Sequence, residues 1–328
     1  MDKKENNHHG FFKNCLKAGR AQAVAVALRE MRLTSMLIVA AFALWSSGCN
    51  KPHDNSGNGQ ETENIRDSVY RMVRGSLGTY ATPPRLSNGM VDEQKLIDEL
   101  RDIHANTYNW LIWRGGKDDY DGLKHFLPAA RRAGLKVWVT LVPPSEPPMP
   151  QPFGQDYDKW ATELATLSKS EPNLVAWSID DFVHNLKFFT PGYVERFLLH
   201  ARAINPRFAF VPCCYFKYVT DSFAADYGHL VDGILFPYRA ESSGNANLKD
   251  PALVANEIDK LKDRLGADIP VIVDVYASAH SQLGSTTPEY VQQVITAARK
   301  RAEGVMIYTH QDPVKNKDKY DIIKGAFE

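Results

Sequence analysis

Leu174-Val175-Ala176-Trp177-Ser178-Ile179-Asp180-Asp181 is the stretch whose reading decides the fold. An apolar run, Leu174 to Trp177, leads through Ser178 and Ile179 into two carboxylates, and Phe182, Val183, His184 and Asn185 follow. Adjacent acids usually mark a solvated turn, but these close a segment apolar enough to be buried on both faces, as strands of a parallel sheet are. What such a sheet would be is settled by the segments around it.

From about residue 73, short apolar runs alternate with amphipathic stretches, the pattern of repeated strand-helix units. The runs predict strands at Gly75–Tyr80, Thr107–Trp113, Lys136–Leu141, Leu174–Ile179, Arg207–Pro212, Gly233–Pro237, Val271–Tyr276 and Gly304–Tyr308. The stretches between them predict helices near 92–104, 119–133, 157–168, 191–203, 220–227, 251–265, 288–301 and 318–326. Thr190-Pro191 and Thr287-Pro288 each place a capping residue before a first-turn proline, and both belong to a shared Thr-Pro-x-Tyr-Val pattern. Arg131-Arg132-Ala133-Gly134 ends a helix with basic residues and a glycine. Eight units in about 255 residues are the size of a (β/α)8 barrel. A doubly wound open sheet is the alternative, but no Gly-x-Gly-x-x-Gly follows the first strand.

The chain has 328 residues, 44% hydrophobic and 24% charged, with 39 basic and 39 acidic side chains. That balance, with a pI near 7.1, suits a globular protein and argues against nucleic acid as the main partner. Residues 1–48 read as a signal segment whose apolar heart, Met36 to Trp45, is ten residues long and too short to span a bilayer. Its unusual length leaves Met31 or Met36 as alternative starts. Ser46-Ser47-Gly48-Cys49 resembles a bacterial lipobox, which implies a lipid anchor on Cys49 and export to the cell envelope. An ordinary secretory signal cleaved nearby is the other reading. Residues 49–65, rich in Asn, Gly, Glu and Ser, read as a tether, and residues 66–328 as the folded domain. Cys213 and Cys214 are the two cysteines of that domain, expected as reduced thiols, with a vicinal disulfide as the alternative.

Residues just past the strands of a barrel line one pocket. Those positions hold Tyr80, Trp113, Arg114, Ser145, Glu146, Asp180, Asp181, Cys214, Tyr215, Tyr238, Arg239, Asp274, Tyr276, Tyr308 and His310. Rings that stack on pyranose faces, together with carboxylates and hydrogen-bonding groups, suit a carbohydrate. We expect Asp180, Asp181 and Asp274 as catalytic acids. Trp113, Glu146, Tyr215, Tyr238, Arg239, Tyr276, Tyr308 and His310 are expected to bind substrate. Glycosidic cleavage needs an acid for the leaving oxygen and a second group at the anomeric centre. Neighbouring carboxylates raise one another's pKa, so one can stay protonated while the other ionises. Alternate strand residues point to opposite sides, so the pair shares a pocket only where the strand breaks. Structural readings stand beside this: an aspartate capping the next helix or pairing with Arg239 or Lys187. Asp274 could be the second catalytic carboxylate, a hydroxyl ligand or half of a buried ion pair.

A strand-four Asp-Asp pair is similar to that of the O-GlcNAcase-type β-N-acetylglucosaminidases. The resemblance implies that Asp180 orients the substrate's own acetamido group as nucleophile and that Asp181 is the general acid. The whole is expected to be a lipid-anchored glycoside hydrolase without a cofactor or metal. A carbohydrate-binding protein on a hydrolase scaffold is the alternative. A metal-dependent hydrolase would require His184, His280 or His310 to converge with an aspartate. Trp138 and Trp177 are expected in the core, and the proline-rich loop 142–152 as a cleft wall or a rigid surface loop.

Overall fold

The computed structural model describes residues 64–113 and 118–328; the signal segment, most of the tether, Cys49 and Arg114 lie outside the described residues. Eight parallel strands are present: β1 Ser76–Ala81, β2 Thr107–Ile112, β3 Lys136–Leu141, β4 Leu174–Ile179, β5 Ala209–Phe210, β6 Ile234–Pro237, β7 Val271–Tyr276 and β8 Gly304–Tyr308. They pair in the order β5-β4-β3-β2-β1-β8-β7-β6. The circle closes between its ends, because Leu235 N–H donates to the Pro212 carbonyl (3.0 Å) and Cys214 N–H to the Leu235 carbonyl (2.8 Å). The fold is a (β/α)8 barrel.

The strand expected over Arg207–Pro212 is regular only at Ala209–Phe210. Arg207 sits in the preceding turn, and Pro212 has no N–H to give the ladder. Extended pairing nevertheless continues, with Val211 and Cys213 N–H donating to the β4 carbonyls of Trp177 and Ile179.

Helices α2 Glu93–Asp102, α3 Asp118–Arg132, α4 Tyr157–Ser170, α5 Pro191–Ile204, α6 Asp221–Tyr227, α7 Val254–Leu265, α8 Pro288–Ala298 and α9 Lys317–Phe327 follow the strands in turn. None among the described residues is long and apolar enough to cross a membrane. Thr287 caps α8 through its hydroxyl, whereas Thr190 makes no side-chain cap. Gly134, at φ +76°, ends α3 in the left-handed turn that lets Leu135 N–H reach the Ala130 carbonyl.

One helix was not expected: Ile65–Val73, α1, is capped by Asn64 and stands at the start of the folded domain. Its buried Val69 and Val73 enter the apolar cluster inside the barrel with Leu111, Trp138, Val175, Ala209, Ile272 and Met306. A second, larger cluster fills the space between strands and outer helices and includes Trp110, Trp160, Trp177 and Phe197. Trp138 and Trp177 are thus both core residues, one on each side of the sheet.

Candidate functional site

The alternation that buries Trp177 outward turns Ser178 and Asp180 toward the barrel axis. Asp180 still follows the ladder, its N–H donating to the Leu141 carbonyl (2.9 Å). Asp181 does not: its backbone lies at φ 44°, ψ 33°, in the left-handed region that Asp tolerates better than most residues. Phe182 then drops into the outer core, stacked on Phe189 at 5.3 Å. A short turn, Phe182–Asn185, follows, with the Asp181 carbonyl accepting from His184 N–H and Asn185 Nδ2. The strand therefore breaks between the two aspartates, and both line one cavity of about 490 Å³.

Asp180 is held on both oxygens. Tyr80 Oη donates to Oδ2 (2.8 Å), and the Asp181 N–H donates to Oδ1 (3.0 Å), which ties the left-handed residue to its neighbour. Burial and the Asp181 charge push its pKa up to about 6, against the lowering effect of these bonds and of Cys213. Burial also works to raise Asp181, but hydrogen bonds from His184 and Tyr215 outweigh it and hold that carboxyl below its ordinary value. His184 Nδ1 lies 3.5 Å from Asp181 Oδ2 and stacks on the Tyr215 ring at 4.8 Å. Glu146, past β3, hydrogen-bonds to Asp181; burial and the charges of Asp180 and Asp181 push its pKa up to about 8. The surroundings thus favour the proton on Glu146 and the charge on Asp181.

The three inner tyrosines stand level on adjacent strands, Tyr80 pairing with Tyr308 and Tyr308 with Tyr276 in the sheet register. Their ring centroids are 5.4 and 5.3 Å apart. Asp274 also faces inward from β7. Burial, then the Asp180 charge, raises its pKa well above the usual carboxylate range, and its Oδ1 has no partner. It lines the cavity and, among the described residues, forms no ion pair. Arg239 lines the same cavity, its guanidinium 3.9 Å from the Tyr215 ring centroid, and pairs with Glu241. The aspartates therefore neither pair with Arg239 nor cap α5, which starts at Pro191.

Three expected residues are elsewhere. Pro237 turns toward the cavity, so the next residue, Tyr238, points away and its hydroxyl bonds the Asp250 carbonyl at 2.6 Å. Trp113 and His310 line a neighbouring groove, where His310 Nε2 lies 2.9 Å from Glu99 Oε2. His184 and His280 line the main cavity, so the three histidines do not converge. Among the described residues, the ligand-type side chains that gather within 4.8 Å are Asp180, Asp181 and Cys213, with no histidine. Cys213, not Cys214, is the thiol bonded to Asp180; both are free and buried. The alternation through Ala209 and Val211 would have placed Cys213 inward.

No family model matches the chain, and no curated protein does. Solved structures share its fold. A GH18 chitinase from Pseudoalteromonas aurantia is similar at a TM-score of 0.54 and 12% identity, over 77% of this chain and 100% of its own. A GH2 β-galacturonidase from Eisenbergiella tayi, bound to galacturonate, gives 0.55 and 13% over 77% of this chain. A family 39 glycoside hydrolase from Bacteroides cellulosilyticus WH2 gives 0.53 and 12% over 78%. The chain spans about half of the β-galacturonidase, 51%, and 64% of the family 39 enzyme. The scaffold is one that glycoside hydrolases use.

Proposed function

We propose that the cavity hydrolyses a glycosidic bond beside a 2-acetamido sugar. Glu146 gives the proton to the leaving oxygen, and Asp181 is the carboxylate that steers the acetamido group to the anomeric carbon. Asp180 positions Asp181 by accepting its N–H. One observation carries this reading: Glu146 and Asp181 are hydrogen-bonded neighbours in one cavity, in surroundings that push the first pKa up and hold the second down. Environments that push carboxyl pKa values apart divide acid from base.

The close spacing supports the acetamido nucleophile. Glu146 and Asp181, the acid and the steering carboxylate, are hydrogen-bonded to each other, whereas two-carboxylate hydrolysis uses separations of about 5–9.5 Å. A substrate that brings its own nucleophile removes that requirement, as in the enzymes the Asp-Asp pair resembles. The roles differ from those the resemblance implies, because Asp181 carries the charge and Glu146 the proton. Arg239 favours a second reading, a uronic acid, since its Nε is buried without a partner. The ionised Asp181 opposes an anionic sugar, and Glu241 already takes much of the Arg239 charge.

The test is a panel of 4-nitrophenyl glycosides given to the purified protein: N-acetyl-β-glucosaminide, β-glucoside, β-glucuronide and β-galacturonide. Release from the first alone is expected. Release from a uronide would overturn the acetamido assignment, and glycan binding without any release would make the protein a carbohydrate-binding one. Anchoring outside the cytoplasm is a companion proposal supported by Ser46–Cys49. Metabolic labelling with a fatty acid should mark the protein and should fail for Cys49→Ala.

A further inference from the structure

The groove beside the main cavity contains groups that the catalytic reading leaves unused. Trp113, just past β2, is 47% exposed, whereas Trp110, Trp138, Trp160 and Trp177 are fully buried. An indole that could be buried, but is left facing a concave surface, is available to a ligand. His310, past β8, is held in the wall of the same groove by Glu99, whose Oε2 lies 2.9 Å from Nε2.

Trp113 and His310 line one groove of about 350 Å³, which runs over the end of β1 at Ala81 and Thr82. Tyr308 is a wall of both this groove and the main cavity, so a chain molecule leaving the cavity over Tyr308 enters the groove directly. A pyranose has an apolar face of C–H groups and a rim of hydroxyls. The Trp113 ring matches the face, and polar side chains of the groove, Thr82, Lys95 and Asp312, match the rim.

We propose that this groove is a second sugar-binding subsite, with Trp113 as platform. The substrate is then an oligosaccharide that continues past the cleaved bond, not an isolated terminal sugar. This rests on the glycan reading of the main cavity, but it predicts binding that does not depend on turnover.

Two measurements test it. Trp113 emission is followed while chitotetraose, cellotetraose or tetragalacturonate is added to the protein and to Trp113→Ala. A saturable change with one of them, absent in the variant, is expected. No change with any of the three overturns the subsite, whether or not an aryl glycoside is cleaved. For the oligosaccharide that binds, Trp113→Ala should raise KM up to about tenfold, the size of one aromatic contact. The KM for the matching 4-nitrophenyl monoglycoside should not move. Equal effects on both overturn the subsite while leaving the hydrolase reading intact. Binding of an oligosaccharide with no hydrolysis of any substrate upholds the subsite and sinks the hydrolase reading.

Discussion

Replacing Glu146 by Gln separates the proton from the shape of the side chain. The amide still donates a hydrogen bond to Asp181, so the neighbouring carboxylate keeps its partner while the transferable proton is lost. With a pKa of about 8, Glu146 is protonated about ten to one at pH 7. Removing a positioned acid lowers turnover by about 10²–10⁴-fold when the leaving group is a sugar. A 2,4-dinitrophenyl glycoside, whose leaving group needs no proton, should lose far less. In the parent, kcat/KM should fall tenfold per unit above pH 8, and that alkaline limb should vanish in the variant.

Stability gives an independent reading with a defined sign. A carboxyl whose pKa is raised from its ordinary 4.5 to about 8 holds its proton longer in the folded state than in the unfolded one. Folding therefore takes up a proton between these values, and the stability present at low pH is lost as pH rises through 8. Full conversion of the shift would overstate the effect, because the residue is only partly buried; about 2 kcal/mol is a fair size. Glu146→Gln should thus melt with the parent at pH 4 and about 5 °C above it at pH 9. A surviving alkaline limb, or a melting difference that ignores pH, would refute the assignment of the proton to Glu146.

Tyr80→Phe removes the donor to Asp180 Oδ2, so the Asp180 pKa should rise from about 6 and the acid limb of kcat/KM move to higher pH. An unmoved limb would mean that Asp180 does not set it. Burial disfavours a charge on Asp274, so Asp274→Asn should leave kcat/KM within about tenfold, whereas Asp181→Asn should cost about 10³ or more. A loss for Asp274→Asn as deep as for Asp181→Asn would make Asp274 the second catalytic carboxylate. Val73→Ala should destabilise the protein by about 1–3 kcal/mol in urea unfolding, since Val73 is fully buried in the barrel interior. A smaller change would mean that α1 does not seal the barrel.

The strands over Lys136–Leu141, Leu174–Ile179, Val271–Tyr276 and Gly304–Tyr308 were legible to the residue, because each is an apolar run buried on both faces. What escaped depended on partners distant in sequence. The amphipathic Ile65–Val73 follows a polar tether, and only the open end of a finished barrel gives its apolar face a place. The strand around Phe210 was shortened by Pro212, whose missing N–H matters only once β6 is beside it. In the site, strand parity could have assigned Asp180, Asp274, Tyr276 and Tyr308 inward and Tyr238 outward. It could not divide the mouth into two hollows at Tyr308, which is why Trp113 and His310 were expected in one pocket with Asp181.

Adjacency of the two aspartates looked like an obstacle, since neighbouring strand residues diverge. The structure makes it the means of positioning. Asp180 keeps strand register and is locked from three directions by Tyr80, Cys213 and the Asp181 N–H. That last bond spans the strand break and holds Asp181 at its positive φ, while burial of Phe182 pulls the chain onward. A rigid acid thus anchors a turned one, and the turned one alone reaches Glu146, His184 and Tyr215. Separating the pair by even one residue would leave Asp181 either outward-facing or untethered, so the division of charge across the cavity depends on the two residues being consecutive.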